Sequence, residues 1–329
     1  MITNAAFPSG IHHVTMIAGD VQRNVDFYAG VLGMRLVKRT VNFDDPNTYH
    51  LYYGDETGTP GTLLTFFPWP GARRGREGAG QFASVSLAVP PGSLGFWLER
   101  LVRHGVAHDP LATRFGERVL GFRDPDGLRV ELVGSAAAAR IPGWSGAVPA
   151  EHAVRGVHAM TLWTADPDAT TRLLEGAFGM RRHATEEQTT RFVPAVPHAS
   201  GIGTALDVRD VSGFWEGAGG VGTVHHVAWR VPDDERELTL RARVRESGLG
   251  TTEVIDRKYF HSVYFREPGG ALFEIATDIP GFTVDEPLAT LGESLVLPPW
   301  LEPERAAITA ALPAIELPPA GAPVFEVPQ

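Results

Sequence analysis

The pair His12-His13 in "GIHHVTMI" (residues 10–17) recurs as His225-His226 in "TVHHVAWR" (residues 223–230), 213 residues further along. A repeat this distant constrains the fold strongly, because duplicated segments fold as equivalent units and their equivalent positions come together by symmetry. Four segments carry the pattern of one strand, one helix and further strands. Their leading strands are "HHVTMIA", "ASVSLAV", "HAMTLWT" and "HHVAWRV", which place His13, Ser84, Ala159 and His226 at one structural position.

The intervening helices are legible from their ends. The first runs from Asp20 as N-cap through Val21, Val25, Tyr28 and Leu32 to Gly33. The second is capped by Ser93 and stops at Gly105, and the third starts at Asp166-Pro167 and closes at Gly179. The fourth follows Asp233-Asp234-Glu235 and ends at Gly248. Acceptor side chains and negative charge belong at helix N-termini, and glycine belongs just past C-termini. From the His13-type position to the closing glycine the steps are 20, 21, 20 and 22 residues.

The units also finish alike, with "GFRDPDGLRVELV" and "YFREPGGALFEIA" sharing an aromatic-Arg-acid-Pro-x-Gly turn before an alternating strand. The last-strand position holds Thr65, Glu131, Asp207 and Glu274, at steps of 52, 47, 48 and 48. The first unit is longer because of the loop "TVNFDDPNTYH". The fold expected is therefore α+β, four βαβββ modules at about 9–70, 81–135, 153–210 and 221–279. An N-terminal half (1–145) would hold modules 1 and 2, and a C-terminal half (146–329) modules 3 and 4. Ten of the 26 prolines lie from Pro280 onward, so 280–329 reads as a strap over the surface with one short helix in "EPERAAITAAL".

Composition narrows the chemistry. With no cysteine, any metal must be held by His and carboxylate, and disulfides or a Cys nucleophile are ruled out. A net charge of −10 repels phosphate backbones and anionic lipid, so neither nucleic acid nor membrane is an expected partner. The run Arg73, Arg74 and Arg76 in "PGARRGREGAGQ" reads as a solvated loop. Residues 1–20 lack the charged flank and apolar core of a secretory leader, which points to the cytoplasm.

Only modules 1 and 4 offer imidazoles at the repeated positions. If they face each other, His13, His226 and Glu274 converge, with Thr65 at the fourth corner. Two His and one carboxylate leave adjacent coordination positions open, the arrangement that non-haem Fe(II) oxygenases use to hold substrate and O₂ together. Strand alternation turns successive side chains to opposite faces, so His12 and His225 are expected beside the site without ligating, paired either with it or with backbone groups on the outer face. Glu131 and Asp207 lack partner histidines, and a surface or turn-bonding role is expected for both. Arg257 and Tyr264, in "DRKYFHSVYFREPGG", read equally as surface Arg and core-edge Tyr or as cavity residues.

The four units, the paired "HHV" strands, "DRKYFHSVYFREPGG", "FEIATD" and "LPPWLEPER" together resemble the vicinal oxygen chelate superfamily, and within it the hydroquinone-type ring-cleaving dioxygenases. That resemblance implies two barrels, one from modules 1 and 4 and one from modules 2 and 3. It implies Fe(II), with Mn(II) as the other candidate, on His13, His226 and Glu274. It further implies that His12 or His225 acts as acid or base, that Arg257 and Tyr264 serve both catalysis and substrate binding, and that Thr15 contacts substrate. The partners implied are a small aromatic diol and O₂, with self-association left open. Two other functions share the fold: a glyoxalase-type isomerase or lyase, which needs a fourth protein ligand, and a ligand-sequestering protein, which needs no triad.

Overall fold

Runs of alternating or wholly apolar residues, broken by Gly- and Pro-containing turns, fold into sixteen strands and five short α-helices among the described residues. The computed structural model describes residues 7–317. Module 1 supplies β1 (Ile11–Ala18), β2 (Arg35–Asn42), β3 (Asp45–Gly54) and β4 (Leu63–Pro68). Module 2 supplies β5 (Gln81–Val89), β6 (Ala112–Arg114), β7 (Glu117–Arg123) and β8 (Arg129–Gly134). Module 3 supplies β9 (Gly156–Thr164), β10 (Met180–Glu186), β11 (Thr189–Pro194) and β12 (Ala205–Asp210). Module 4 supplies β13 (Thr223–Val231), β14 (Ile255–Asp256), β15 (His261–Arg266) and β16 (Leu272–Thr277).

These strands form two curled eight-stranded sheets, ordered β14-β15-β16-β13-β1-β4-β3-β2 and β10-β11-β12-β9-β5-β8-β7-β6. Module 1 thus pairs with module 4, and module 2 with module 3, through antiparallel β1–β13 and β5–β9. Each sheet draws strands from both halves of the chain. The main core packs the sheet faces bearing Val14, Met16, Leu64, Phe66 and Ile275, opposite His13 and Glu274, against helix residues such as Val25, Trp97, Leu173 and Leu240. It runs between the sheets, where Phe82 stacks on Phe273 with ring centroids 5.7 Å apart.

The helices follow their caps with two differences. α1 (Val21–Val25) is capped by Asp20, whose side chain accepts from the Arg23 amide, but it continues over Asp26–Val31 as a π-helix before Gly33 turns at φ +68°. α2 (Leu94–Arg103) is not capped by the Ser93 side chain. A 3₁₀ turn over Pro91–Ser93 precedes it, and the Ser93 hydroxyl instead reaches the Glu151 carbonyl at 3.3 Å. α3 (Pro167–Gly176) and α4 (Asp234–Glu246) are capped by Asp166 and Asp233, each accepting from the amide three residues on.

The tail crosses the first sheet as a strap. The Val296 amide donates to the Arg39 carbonyl at 2.9 Å, and Tyr49 donates to the Pro313 carbonyl at 2.9 Å. A 3₁₀ turn (Glu302–Glu304) and α5 (Arg305–Ala311) form the expected short helix. Residues 318–329 of the strap lie outside the described residues. The arginine run is less free than a solvated loop, since Arg74 and Arg76 bridge by backbone to Val221 and Ala218 while their side chains stay exposed.

The second sheet corrects one expectation. Glu131 and Asp207 are not surface residues; they are 1% and 0% exposed. Arg114 grips Glu131, with Nη2 2.5 Å from Oε2, and Arg191 grips Asp207 through two bonds of 2.7 and 2.9 Å. Where the first barrel turns imidazoles toward a carboxylate, the second inserts guanidinium groups from β6 and β11. Removing Arg191 would strand the buried Asp207, at a cost of about 3–5 kcal/mol, whereas Glu131 without Arg114 keeps Arg129 and Ser86.

Candidate metal centre

Each His-His pair lies at a break in the β1–β13 register. Ile11 faces Trp229 while His13 faces Ala228, so His12 is an extra residue on β1. Thr15 faces His226 while Met16 faces Val224, so His225 is the extra residue on β13. Such bulges bend the strand and suspend alternation. The outer-face placement expected for His12 and His225 therefore does not occur: both rings turn to their neighbours, His12 Nδ1 lying 2.9 Å from His13 Nδ1 and His225 Nδ1 2.7 Å from His226 Nδ1.

That leaves Nε2 of His13 and of His226 aimed inward, 3.3 Å apart. Glu274 on β16 approaches them with Oε2, at 3.4 Å from His13 and 2.8 Å from His226. The three ligand atoms all lie within 4.8 Å of one another, on residues that are all buried. Ser262 donates to the other oxygen, Oε1, which turns Oε2 to the imidazoles. Oε2 itself is buried and has no hydrogen bond of acceptable geometry among the described residues. A buried carboxylate oxygen left so is costly unless a cation completes it, and two imidazoles with one carboxylate suit a divalent transition metal.

The electrostatics agree with that donor set. Burial acts to raise the Glu274 carboxyl, but the facing His13 and His226 outweigh it and hold the group well below the usual carboxylate range. Burial lowers His226 despite the Glu274 charge, favouring the neutral imidazole that a metal requires. With Nε2 turned to the centre and free of a proton, as a metal would require, the Nδ1 of His13 and of His226 is the nitrogen left to donate to the preceding histidine, a contact that would fix tautomer and ring angle. His12, kept neutral by burial and then by the neighbouring His13, which drive it well below its ordinary value, accepts there because its one proton is on the other nitrogen. Its remaining nitrogen is taken up by the Thr277 backbone. His225 is likewise pushed down to about 3 by burial and by His226, yet it borders open space.

Above the triad is a cavity of about 360 Å³, predominantly apolar, a size suited to a small organic ligand. His13, His226, His225, Arg257 and Tyr264 line it; His12 and Thr15 do not. Thr15 is fully buried and its hydroxyl meets that of Thr65 at 2.7 Å. The Tyr264 ring stands edge-on to His226, and its hydroxyl is held protonated by burial and by the Glu274 charge. Arg257 lies over that ring at 5.4 Å and bonds Asp44 at 3.0 Å.

Several cavity residues escaped the reading of the sequence. His50 bonds Thr65 through Nε2 at 3.1 Å and Tyr52 through Nδ1 at 2.9 Å, filling the fourth corner with a polar chain. Phe67, Trp69 and Phe260 supply the aromatic walls. Phe260 packs on both His12 and His13, at 5.2 and 5.0 Å between centroids. The one available signal was the extra length of the first unit around residues 40–50, expected as a loop but folded as the ends of β2 and β3 with a short turn between them; its Asn42, Phe43, Asp44 and His50 are all cavity residues.

The pattern of the Glyoxalase/Bleomycin resistance protein/Dioxygenase superfamily matches residues 10–132 and 156–275. The "Putative ring-cleaving dioxygenase MhqO" of Bacillus subtilis is 46% identical over 94% of this chain and 97% of its own length. The chlorohydroquinone/hydroquinone 1,2-dioxygenase of Sphingobium indicum is 37% identical over 89% of this chain and 92% of its own. A crystal structure of a "putative dioxygenase" from Bacillus subtilis superposes with a TM-score of 0.89 at 45% identity, covering 95% of this chain and 99% of that one. Glyoxalase I from Zea mays shares the fold, with a TM-score of 0.63 at 16% identity over 87% of this chain and 97% of its own. No helix among the described residues is long and apolar enough to cross a membrane. A fourfold unit, two paired sheets and relatives matched along nearly their whole length lead to one conclusion: the chain belongs to the Glyoxalase/Bleomycin resistance protein/Dioxygenase superfamily, among its ring-cleaving dioxygenases.

Proposed function

We propose that the protein is an Fe(II)-dependent ring-cleaving dioxygenase acting on hydroquinone-like aromatic diols, with the metal held by His13, His226 and Glu274. The observation that carries this reading is the convergence of the three ligand atoms, one of them an unpartnered buried carboxylate oxygen, on the floor of an aromatic-walled cavity. Fe(II) bound there would supply the one-electron chemistry by which O₂ reacts with an electron-rich ring, while three protein ligands leave positions for both reactants.

The chain's own residues orient the diol and handle its protons. Tyr264, kept protonated, donates a hydrogen bond to a substrate oxygen. Arg257 stays cationic and faces negative charge developing on oxygen. Of the two preceding histidines only His225 borders the cavity; with its Nδ1 accepting from His226, its other nitrogen carries the proton and is placed to donate it toward a substrate oxygen, while His12 holds the His13 ring. Thr15 steadies Thr65 rather than touching the ligand. The aromatic walls exclude water from the reacting ring.

The test is O₂ uptake by anaerobically Fe(II)-loaded protein with hydroquinone, chloro- and methylhydroquinone, catechol and the hemithioacetal of methylglyoxal. Uptake with a hydroquinone, absent in His226→Ala, is the expected result. Isomerisation of the hemithioacetal under another divalent metal, with no uptake on any diol, would move the protein to the glyoxalase branch. Tyr264→Phe is expected to keep its iron and slow turnover about 10–100-fold; an iron-depleted Tyr264→Phe protein would count against the role.

A further inference from the structure

The loop 257–260 gives the cavity two of its side chains, Arg257 and Phe260, while the two between them point elsewhere. Lys258 sits at φ +69°, a left-handed conformation that a side-chain-bearing residue adopts only when its surroundings hold it there. Within the loop the Arg257 amide donates to the Phe260 carbonyl at 3.0 Å, and the Lys258 amide to Asp256 Oδ1 at 2.6 Å. The rest of the restraint comes from the tail. The Gly281 amide donates to the Tyr259 carbonyl at 2.9 Å. Lys258 Nζ reaches Asp285 Oδ2 at 2.5 Å and the Leu297 carbonyl at 3.2 Å, and the Tyr259 hydroxyl donates to the same Asp285 at 3.1 Å.

Asp285 is itself anchored from the barrel. Lys38 on β2 is fully buried, an unusual setting for a lysine, and its Nζ lies 2.7 Å from Asp285 and also pairs with Glu286. Two ammonium groups and two carboxylates therefore balance inside the protein, and burial of Asp285 is more than offset by Lys258 and Lys38, which keep it ionised. A buried pair contributes little net stability compared with apolar packing, but it demands one geometry. Here that geometry joins three segments that are distant in sequence: β2, the cavity loop and the tail.

We propose that the Lys258–Asp285 clamp is a positioning device, by which the tail segment 281–297 sets where Arg257 and Phe260 stand in the cavity wall. The tail is then part of the active-site scaffold and not a passive cover. The link to turnover rests on the reading of Arg257 given above; the link to loop geometry does not. A displacement of about 1 Å in a group that contacts reactants can cost on the order of a hundredfold in rate.

The experiment compares wild type, Lys258→Met, Lys258→Arg and Asp285→Asn, all metal-loaded, by iron content, by hydrogen exchange of the segments 256–261 and 281–286, and by steady-state O₂ uptake with hydroquinone. Lys258→Met is expected to retain iron, to raise exchange roughly tenfold in those two segments alone, and to lower kcat about tenfold with a smaller change in KM. Lys258→Arg should restore both. Asp285→Asn, which keeps the acceptor oxygen but loses the charge, should fall between and replaces Lys258→Met if that variant does not fold. Unchanged exchange in the folded variants would overturn the clamp, and raised exchange with unchanged kcat would overturn its role in turnover. If wild type consumes no O₂ with any diol, the dioxygenase reading fails, and the exchange result still decides the clamp.

Discussion

Glu274→Gln is expected to purify without stoichiometric iron after anaerobic loading and to lower O₂ uptake at least about a thousandfold, equivalent to roughly 4 kcal/mol of transition-state stabilisation. The amide preserves volume but offers a neutral oxygen where a negative one now meets two imidazole nitrogens at 2.8 and 3.4 Å. Without that charge nothing in the described site balances a divalent cation, because the nearest other polar groups at the centre are neutral hydroxyls and imidazoles. Ser262→Ala makes the control. It frees Oε1 without removing the charge, so metal affinity should fall by only about 10–100-fold and the loaded fraction should turn over. Metal analysis and an oxygen electrode decide the matter; a Glu274→Gln protein that keeps full iron would sink the ligand assignment.

Glu237→Leu is expected to stabilise the protein at alkaline pH and to flatten its pH dependence. Glu237 lies on the buried side of α4, 0% exposed, and neither of its carboxylate oxygens has a hydrogen-bond partner among the described residues. Burial, opposed by His261 and reinforced by Asp234 and Glu274, pushes its carboxyl up to about 7 from an ordinary 4.5. The folded state therefore holds a proton that the unfolded chain gives up at lower pH. Its contribution is intact below about 4.5 and is lost as pH rises through about 7. The shift corresponds to about 2–3 kcal/mol of lost stability by pH 8. Urea unfolding of wild type and variant at pH 5 and pH 8 should show a gap widening by about that amount. Parallel curves at the two pH values would mean that Glu237 finds a partner in solution.

The three candidate ligands were legible because duplication writes them at fixed intervals: His13 and Thr65, His226 and Glu274 stand at matched steps in units of one pattern. Helix starts at Asp20, Asp166 and Asp233 were legible for a different reason, since capping is decided within three residues. Ser93 shows the limit of that locality, because its hydroxyl is drawn to Glu151 and away from its own helix. Thr15 and Tyr264 were both named in advance, yet only the fold separates them, one hydroxyl sealed against Thr65 and the other at the cavity.

Sequence alone thus determined the repeated unit and the candidate His-His-Glu set, which converges if the first module faces the fourth. Tertiary structure decided the rest: the bulges that turn His12 and His225 onto their neighbours, the burial of Glu131 and Asp207 against arginines, His50 at the fourth corner, and the tail acids behind the Arg257 loop. Periodicity and capping report energies set within a few residues of the chain. Register across β1–β13, and the partner that a buried charge finds, depend on how segments some 200 residues apart in sequence pack together.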